Sequence, residues 1–457
     1  MSLWTLKTLA DAMGGTLSGV APETPVTGVS IDTRTLLPGE VFFAIEGVSM
    51  DGHQFVPQAL EKGAAAVVVS KGEAARAVRV ADVMEGMRAL GRAARARIGA
   101  VPVVGVTGSV GKTGTKEMLR LAFGVGGPVH AAEKSFNNHW GVPLTLARMP
   151  QDTGAGIFEI GMNHAGEITP LTKMVRPTIA MVTTVDAVHI EFFNAVADIA
   201  HAKAEIFAGL VPGGTAILPS DNLHADILTK AAMAARAKLV TFAGSGADVR
   251  LTGYDAATGD AQATAFGETV RFRVAGGPHI ARNALTVLAA LKVAGRPLCD
   301  VAALAAWEPP RGRGRRVSLT VPGGEALLLD DAYNASPAAM AAAIEALARA
   351  PATRRVAILG DMRELGDGSA DYHRGLAPLL VDAGARIVHT IGPMSEHLKN
   401  ALPLECRGRH AATVDEFLAD LPAVEAGDAV LVKASLGTGL GAVVDALEAQ
   451  YGVPGRV

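Results

Sequence analysis

The chain has 457 residues, 49 % of them hydrophobic and 19 % charged, with a formal net charge of −3. That length exceeds one ordinary core and predicts about two to four domains, while the near-neutral balance excludes a global pull toward nucleic acid. The two cysteines, Cys299 and Cys406, lie too far apart in sequence to suggest a disulfide framework or a zinc knuckle.

In chain order, the N-terminal stretch MSLWTLKTLADAMGG lacks a basic leader and is interrupted by Asp11, so no signal peptide is expected. No uncharged apolar run approaches the roughly 20 residues that span a bilayer, and a cytoplasmic protein without membrane insertion is expected. Residues 1–83 read as a first unit, with short strands at Val41–Ile45 and Ala64–Val69 and turn chemistry at Leu36–Glu40 and Met50–His53. Met84 to Ile98 reads as a helix whose Arg88, Arg92 and Arg95 form one stripe, the pattern of a solvated face.

From Val101 the pattern becomes strand, glycine turn, helix, repeated, with strands expected near Gly156–Ile160, Ile179–Thr184 and Gly214–Leu218. Residues 245–275 alternate weakly, as a hairpin would. Pro309-Pro310 and Arg311-Gly-Arg-Gly314 mark a linker. Its arginines lack the aromatic neighbours of a nucleic-acid site, so a hinge is the simpler reading. Strands near Ala326–Asp330, Arg355–Leu359, Ala385–His389 and Ala429–Lys433 then repeat the alternation. The fold class is α/β, with a doubly wound, mostly parallel central sheet over 84–312 and a Rossmann-like unit over 313–457.

One loop carries chemistry on its own. Val101–Val106 is a β-branched strand candidate, Thr115–Phe123 a good helix, and between them stands Thr107-Gly108-Ser109-Val110-Gly111-Lys112-Thr113-Gly114. The common phosphate loop, G-x-x-x-x-G-K-[ST], requires a glycine at 106, where Val106 stands instead. The context nevertheless fits. Glycines let backbone N–H groups converge on oxyanions at a helix N-terminus. Lys112 suits β- and γ-phosphates, and the Thr113 hydroxyl suits Mg²⁺.

This compact loop resembles the ATP loop of the Mur ligases, which extend the peptide of the peptidoglycan precursor, and further segments resemble that family in order. They are Ser135-Phe-Asn137-Asn138 with Gly141-Val-Pro-Leu144, Glu159-Ile-Gly161 with Asn163-His164, His189, and Ala202-Lys203-Ala-Glu205. Gly277-Pro-His279 with Asn283, Gly312-Arg313, Asp331-Ala-Tyr333-Asn334-Ala-Ser336-Pro337 and Gly360-Asp-Met362 with Glu364-Leu-Gly366 complete the series. In the first unit, Ser30-Ile-Asp32-Thr-Arg34, Gly47 and Asp51-Gly-His53 resemble the family's uridine-nucleotide domain.

The resemblance implies ATP and two Mg²⁺ ions, with Lys112, Glu159, His189 and Lys203 as catalytic residues and Thr113, Glu159, His189 and a carbamoylated Lys203 about the metal. It implies nucleotide contacts at residues 107–114, Asn283, Arg313 and Asp331. Substrate contacts are implied at Ser30, Asp32, Arg34, Gly47, Asp51, His53, Asn137, Asn138, Tyr333, Asn334 and Ser336. Taken singly, His189 reads as a satisfied histidine, Lys203 as a solvated helix lysine, Asn137-Asn138 as a turn, and Asp32, Arg34 and His53 equally well as turn formers; only the ordered set assigns them otherwise.

Within the family the resemblance is to the last of four successive enzymes, which adds D-alanyl-D-alanine to UDP-MurNAc-tripeptide through an acyl phosphate, as a monomer. The alternatives are the member that adds a single diamino acid, folylpolyglutamate synthase, or a nucleotide-binding scaffold without catalysis. Three departures from the family pattern stand out: Gly114 for threonine, Ser336 for asparagine and Leu436 for arginine.

Overall fold

A computed structural model describes residues 2–47, 50–133 and 135–452. Among these, three larger sheets follow one another along the chain, besides a two-stranded pair of Trp4–Thr5 with Pro25–Val26. The first has five strands in the order Thr16–Ser18, Ala77–Arg79, Ala66–Val69, Glu40–Phe43, Gly28–Ser30, parallel except for the first pair. The helix Val83–Arg97 follows it, capped at Asp82, whose side chain accepts from Glu85 N. Met87, Leu90 and Ala94 on its buried face join the first sheet's Val29, Phe43 and Val68 to the middle unit in one continuous apolar cluster.

The expected cationic stripe on this helix needs correction. Arg92 is exposed, but Arg95 is buried, its Nε donating to Val175 O at 2.8 Å and its Nη2 to Arg176 O at 2.9 Å. It thereby satisfies carbonyls at the C-terminus of the helix Ile168–Val175, which helical geometry leaves without partners.

The middle sheet has nine strands. Seven run parallel in the order Val249–Tyr254, Lys238–Phe242, Thr215–Pro219, Ile179–Val182, Val103–Thr107, Ala155–Glu159, Val129–Ala131. The central strands are buried throughout, as strands covered on both faces are. On one face, Val104, Val106, Ile157 and Met181 pack with the helices Lys112–Gly124 and Pro278–Val293; on the other, Phe158, Ala180 and Val182 pack with Leu144, Leu171 and Ile199. The segment expected as a hairpin is a three-stranded meander, Val249–Tyr254, Asp260–Ala265 and Glu268–Arg273, added to the sheet edge.

Val103–Thr107 lies between Ala155–Glu159 and Ile179–Val182, where the winding reverses direction. A crevice opens at the carboxyl ends of strands at such a switch point.

The third sheet has six strands, Arg315–Val321, Gly324–Asp331, Asp428–Lys433, Arg354–Gly360, Ala385–Ile391 and Arg407–Ala411, parallel except for the first pair. Loops at the carboxyl ends of three neighbouring strands, 332–336, 434–438 and 361–366, face the glycine loop of the middle unit across a cleft of about 1890 Å³.

Candidate active site

The glycine loop is held from beneath by the chain that follows Ile179–Val182. Ser109 N donates to Thr184 O at 2.9 Å, Ser109 Oγ to Asp186 O at 3.0 Å, and Thr183 Oγ1 to Val110 O at 2.6 Å. Two of the glycines are required by space as well as by φ. A Cβ on Gly108, at φ 149°, would stand 1.9 Å from Thr183 Oγ1, and one on Gly111, at φ 84°, 2.6 Å from the amide nitrogen of the buried Asn283. Gly111 is also the N-cap of the helix Lys112–Gly124, so the helix begins with free backbone N–H groups turned toward the loop. Gly114, one turn in, packs beneath Trp307: a Cβ there would lie 3.7 Å from Cζ2 of the indole. That is ordinary van der Waals contact, so nothing in the structure requires glycine rather than threonine at this position. The Trp307 indole nitrogen and the Thr107 hydroxyl are both buried without a hydrogen-bond partner among the described residues.

At the end of Ala155–Glu159, the fully buried Glu159 accepts from Thr113 Oγ1 at 2.9 Å and from Asn137 Nδ2 at 2.7 Å. Thr113 Oγ1 also meets Ser135 Oγ at 3.4 Å, and Ser135 Oγ accepts from Arg313 Nη2 at 3.0 Å, so the third unit reaches into the cluster. Asn138 plays a different part: its side-chain oxygen accepts from Gly141 N at 2.9 Å, a turn role. Lys112 folds back over the loop, its Nζ donating to Gly108 O at 2.7 Å and Ser109 O at 3.2 Å, with burial pushing its pKa down against the pull of Glu159. Lys203, on the helix Val196–Ala204, is 2 % exposed and has no hydrogen bond or ion pair among the described residues. Burial, and then the charge of Lys112, push its pKa well below the usual lysine range.

Across the cleft, Asp331 is engaged by the buried Lys433, whose Nζ donates to Asp331 Oδ2 at 2.7 Å and to Asn334 O at 2.8 Å; burial nonetheless raises the Asp331 pKa. The Arg313 guanidinium stacks 4.2 Å over the Tyr333 ring. Asn334 Oδ1 accepts from Ala335 N at 2.9 Å, and the buried Ser336 caps the helix Pro337–Arg349 by accepting from Ala339 N. Serine and asparagine are comparable N-caps, so the departure at 336 preserves this local job. His189 joins the two units through Nδ1 and Glu364 Oε2, and that contact holds the Glu364 carboxyl below the usual range. Both residues have left-handed backbones, at φ 59° and 63°.

The first-unit residues gather elsewhere, at the carboxyl ends of Gly28–Ser30, Glu40–Phe43 and Ala66–Val69. Ser30 Oγ donates to Asp32 O at 3.1 Å, and Arg34 forks onto Asp32, with Nη2–Oδ2 at 2.6 Å. Gly47 N donates to Met50 O at 2.8 Å, and Asp51 pairs with the His53 ring at 2.7 Å. Lys71, which the sequence pattern did not single out, bonds both Glu46 and Asp51 at 2.9 Å and, with His53, holds the Asp51 carboxyl far below its ordinary range. The structure thus brings the loop, Glu159, Asn137, His189, Asn283, Arg313, Asp331, Tyr333, Asn334 and Ser336 onto one cleft, and leaves Ser30, Asp32, Arg34, Gly47, Asp51 and His53 outside it.

A doubly wound sheet with a glycine loop and lysine at its switch point, faced by a second parallel-sheet unit, defines a nucleotide-using α/β enzyme. Residues 25–101 match the family described as Mur ligase family, catalytic domain; 106–291 the Mur ligase middle domain; and 312–436 the Mur ligase, glutamate ligase domain. The chain belongs to the Mur ligase family. It is 31 % identical to a UDP-N-acetylmuramoyl-tripeptide–D-alanyl-D-alanine ligase of Rickettsia prowazekii, over 97 % of this chain and 99 % of that one. A MurF crystal structure from Acinetobacter baumannii superposes with a TM-score of 0.85 at 27 % identity, covering 97 % of this chain and 99 % of that one. A MurF ligase from Thermotoga maritima in complex with ADP does so with a TM-score of 0.76 at 26 % identity, covering 93 % and 97 %.

Proposed function

We infer that this chain is an ATP-dependent ligase that joins D-alanyl-D-alanine to UDP-MurNAc-tripeptide, yielding the pentapeptide precursor of peptidoglycan. The observation that carries the reading is the Lys112–Thr113–Glu159–Asn137 cluster at the mouth of a cleft between two α/β units, on a chain similar to such ligases from end to end.

A carboxylate does not condense with an amine at neutral pH, because oxide would have to leave. One oxygen of the tripeptide carboxylate attacks the γ-phosphorus of ATP, ADP departs, and an acyl phosphate remains. The neutral amine of the dipeptide then attacks the acyl carbon, loses a proton, and expels phosphate. The loop N–H groups and Lys112 hold the triphosphate, and the glycine cradle of 108 and 111 supplies the space. Two anions must meet in the first step, so cationic stabilisation dominates its energetics.

Among the described residues no three His, Cys, Asp or Glu side chains cluster as a metal-ligand set. The oxygen-rich Thr113–Glu159 site fits Mg²⁺, which takes one or two carboxylates plus water and phosphate oxygens. Thr113 and Glu159 would hold one Mg²⁺ and His189 would assist a second, and the ions would supply charge neutralisation between the two anions. Lys203, buried and with no partner among the described residues, fits a carbamate: its neutral amine adds CO₂, releases a proton and becomes an anionic oxygen donor. Asn283, Arg313 and Asp331 take the nucleoside, with Asp331 doing so through the oxygen that Lys433 leaves free. Tyr333, Asn334 and the Ser336 cap shape the dipeptide pocket, and Asn137 and Asn138 flank the acceptor peptide.

Ser30, Asp32, Arg34, Gly47, Asp51 and His53 take the uridine diphosphate end. The functional division is 1–83, 84–312 and 313–457, and the enzyme acts as a cytoplasmic monomer without nucleic acid; no helix among the described residues is long and apolar enough to cross a membrane. Phosphate release measured with UDP-MurNAc-tripeptide, ATP and D-Ala-D-Ala, each omitted in turn, is expected to need all three. Equal release with a single diamino acid in place of the dipeptide overturns the assignment.

A further inference from the structure

The incoming dipeptide presents an amine at one end and a carboxylate at the other, about 7 Å apart when extended. The amine must reach the acyl phosphate beside Lys112 and Glu159. The carboxylate therefore needs a cation on the facing wall of the cleft, away from the nucleoside.

The cationic side chains of that wall are mostly engaged or misplaced. Lys433 is taken by Asp331 and Asn334 O. Arg313 is turned to Ser135 and stacked on Tyr333. Arg349 is paired with Glu345, and Arg316 lies with it near Tyr254, whose hydroxyl bonds Gly276 O. Arg363 differs. It lines the cleft beside Glu364, which His189 already holds, and it has no ion pair to a carboxylate among the described residues.

Its position is built across two loops. Arg363 N donates to Ser435 Oγ at 3.0 Å, and Nη2 donates to Gly437 O at 2.6 Å. Gly437 makes the approach possible, because a Cβ there would stand 2.5 Å from Nη1. The guanidinium is thus fixed by one edge, on a residue that lines the cleft together with the exposed Leu436. A planar fork with donors to spare is the group that matches a carboxylate.

We propose that Arg363 is the specificity residue for the C-terminal carboxylate of the incoming dipeptide. The assignment rests on the ligase reading above and deepens it. The test compares D-Ala-D-Ala with its C-terminal amide in the wild-type enzyme and in Arg363→Ala and Arg363→Lys. The wild type is expected to favour the acid over the amide by roughly 10- to 100-fold in kcat/KM, the worth of hydrogen bonds to a charged group. Arg363→Ala loses that preference through a raised KM for the acid, leaving the amide and the KM for ATP unchanged; Arg363→Lys keeps part of it. An Arg363→Ala enzyme that retains the wild-type acid-to-amide ratio overturns the assignment, and so does one that still binds ADP yet loses acid and amide alike. If the wild type makes no product from D-Ala-D-Ala, the ligase reading itself fails, an outcome visible before any variant is compared.

Discussion

Lys203 shows how far a single residue's surroundings can reverse its ordinary behaviour. A lysine on an Ala-rich helix is normally solvated and charged; this one is buried, has no ion pair among the described residues and faces the charge of Lys112, so its pKa is pushed well below the usual lysine range. In ¹³C-bicarbonate the wild type is expected to show a carbamate carbon signal that Lys203→Ala lacks, with ligase activity falling at least ~100-fold through loss of an oxygen ligand. At this scale the legible residues were those whose chemistry needs a rare type at a fixed place. Gly108 and Gly111 were readable because Gly-Lys-Thr after a β-branched strand has few other uses. Arg95 was misread because helical periodicity reports which residues share a face, but not that the end of another helix, with its open carbonyls, will lie against that face. Lys71 and Arg363 carried no pattern at all, since each acts through loops distant in sequence that only the folded sheets bring together.

Secondary-structure elements were more legible than their partners. The apolar runs of the parallel strands stand out because both faces are covered, whereas 245–275 sits at a sheet edge with alternating burial, and its third strand was hidden behind the short turn at Phe266-Gly267. Element ends also explain one departure from the family pattern. Ser336 caps Pro337–Arg349, so Ser336→Ala is expected to destabilise the protein by about 1 kcal/mol, while Ser336→Asn changes it little. Thermal melts of the two variants check this, and equal losses in both would assign Ser336 to something other than the cap.

At the scale of the whole molecule, acid sensitivity follows from buried neutral histidines. His389 accepts from Arg409 N at 3.0 Å and packs edge-on against Phe417; burial pushes its pKa down to about 4. Its folded pKa lies below the unfolded value, so the unfolded chain binds the extra proton. The stabilisation is complete above the ordinary histidine pKa and is lost as pH falls from about 6.5 toward 4, by roughly 3 kcal/mol in all. Chemical denaturation across that window is expected to show the loss, with a shallower slope in His389→Gln. The Glu364 carboxyl, also held low, contributes to the His189 contact between the units above its ordinary range and ceases to as pH falls through its lowered value. The buried Trp307 ring has a last consequence. It lies against the helix that begins at the glycine loop, whereas Trp4 sits under Arg97 and Trp140 beside Phe136. The molecule therefore contains its own optical reporter: titration with ADP should alter tryptophan emission, Trp307→Phe should silence the change, and the dissociation constant becomes readable without a label.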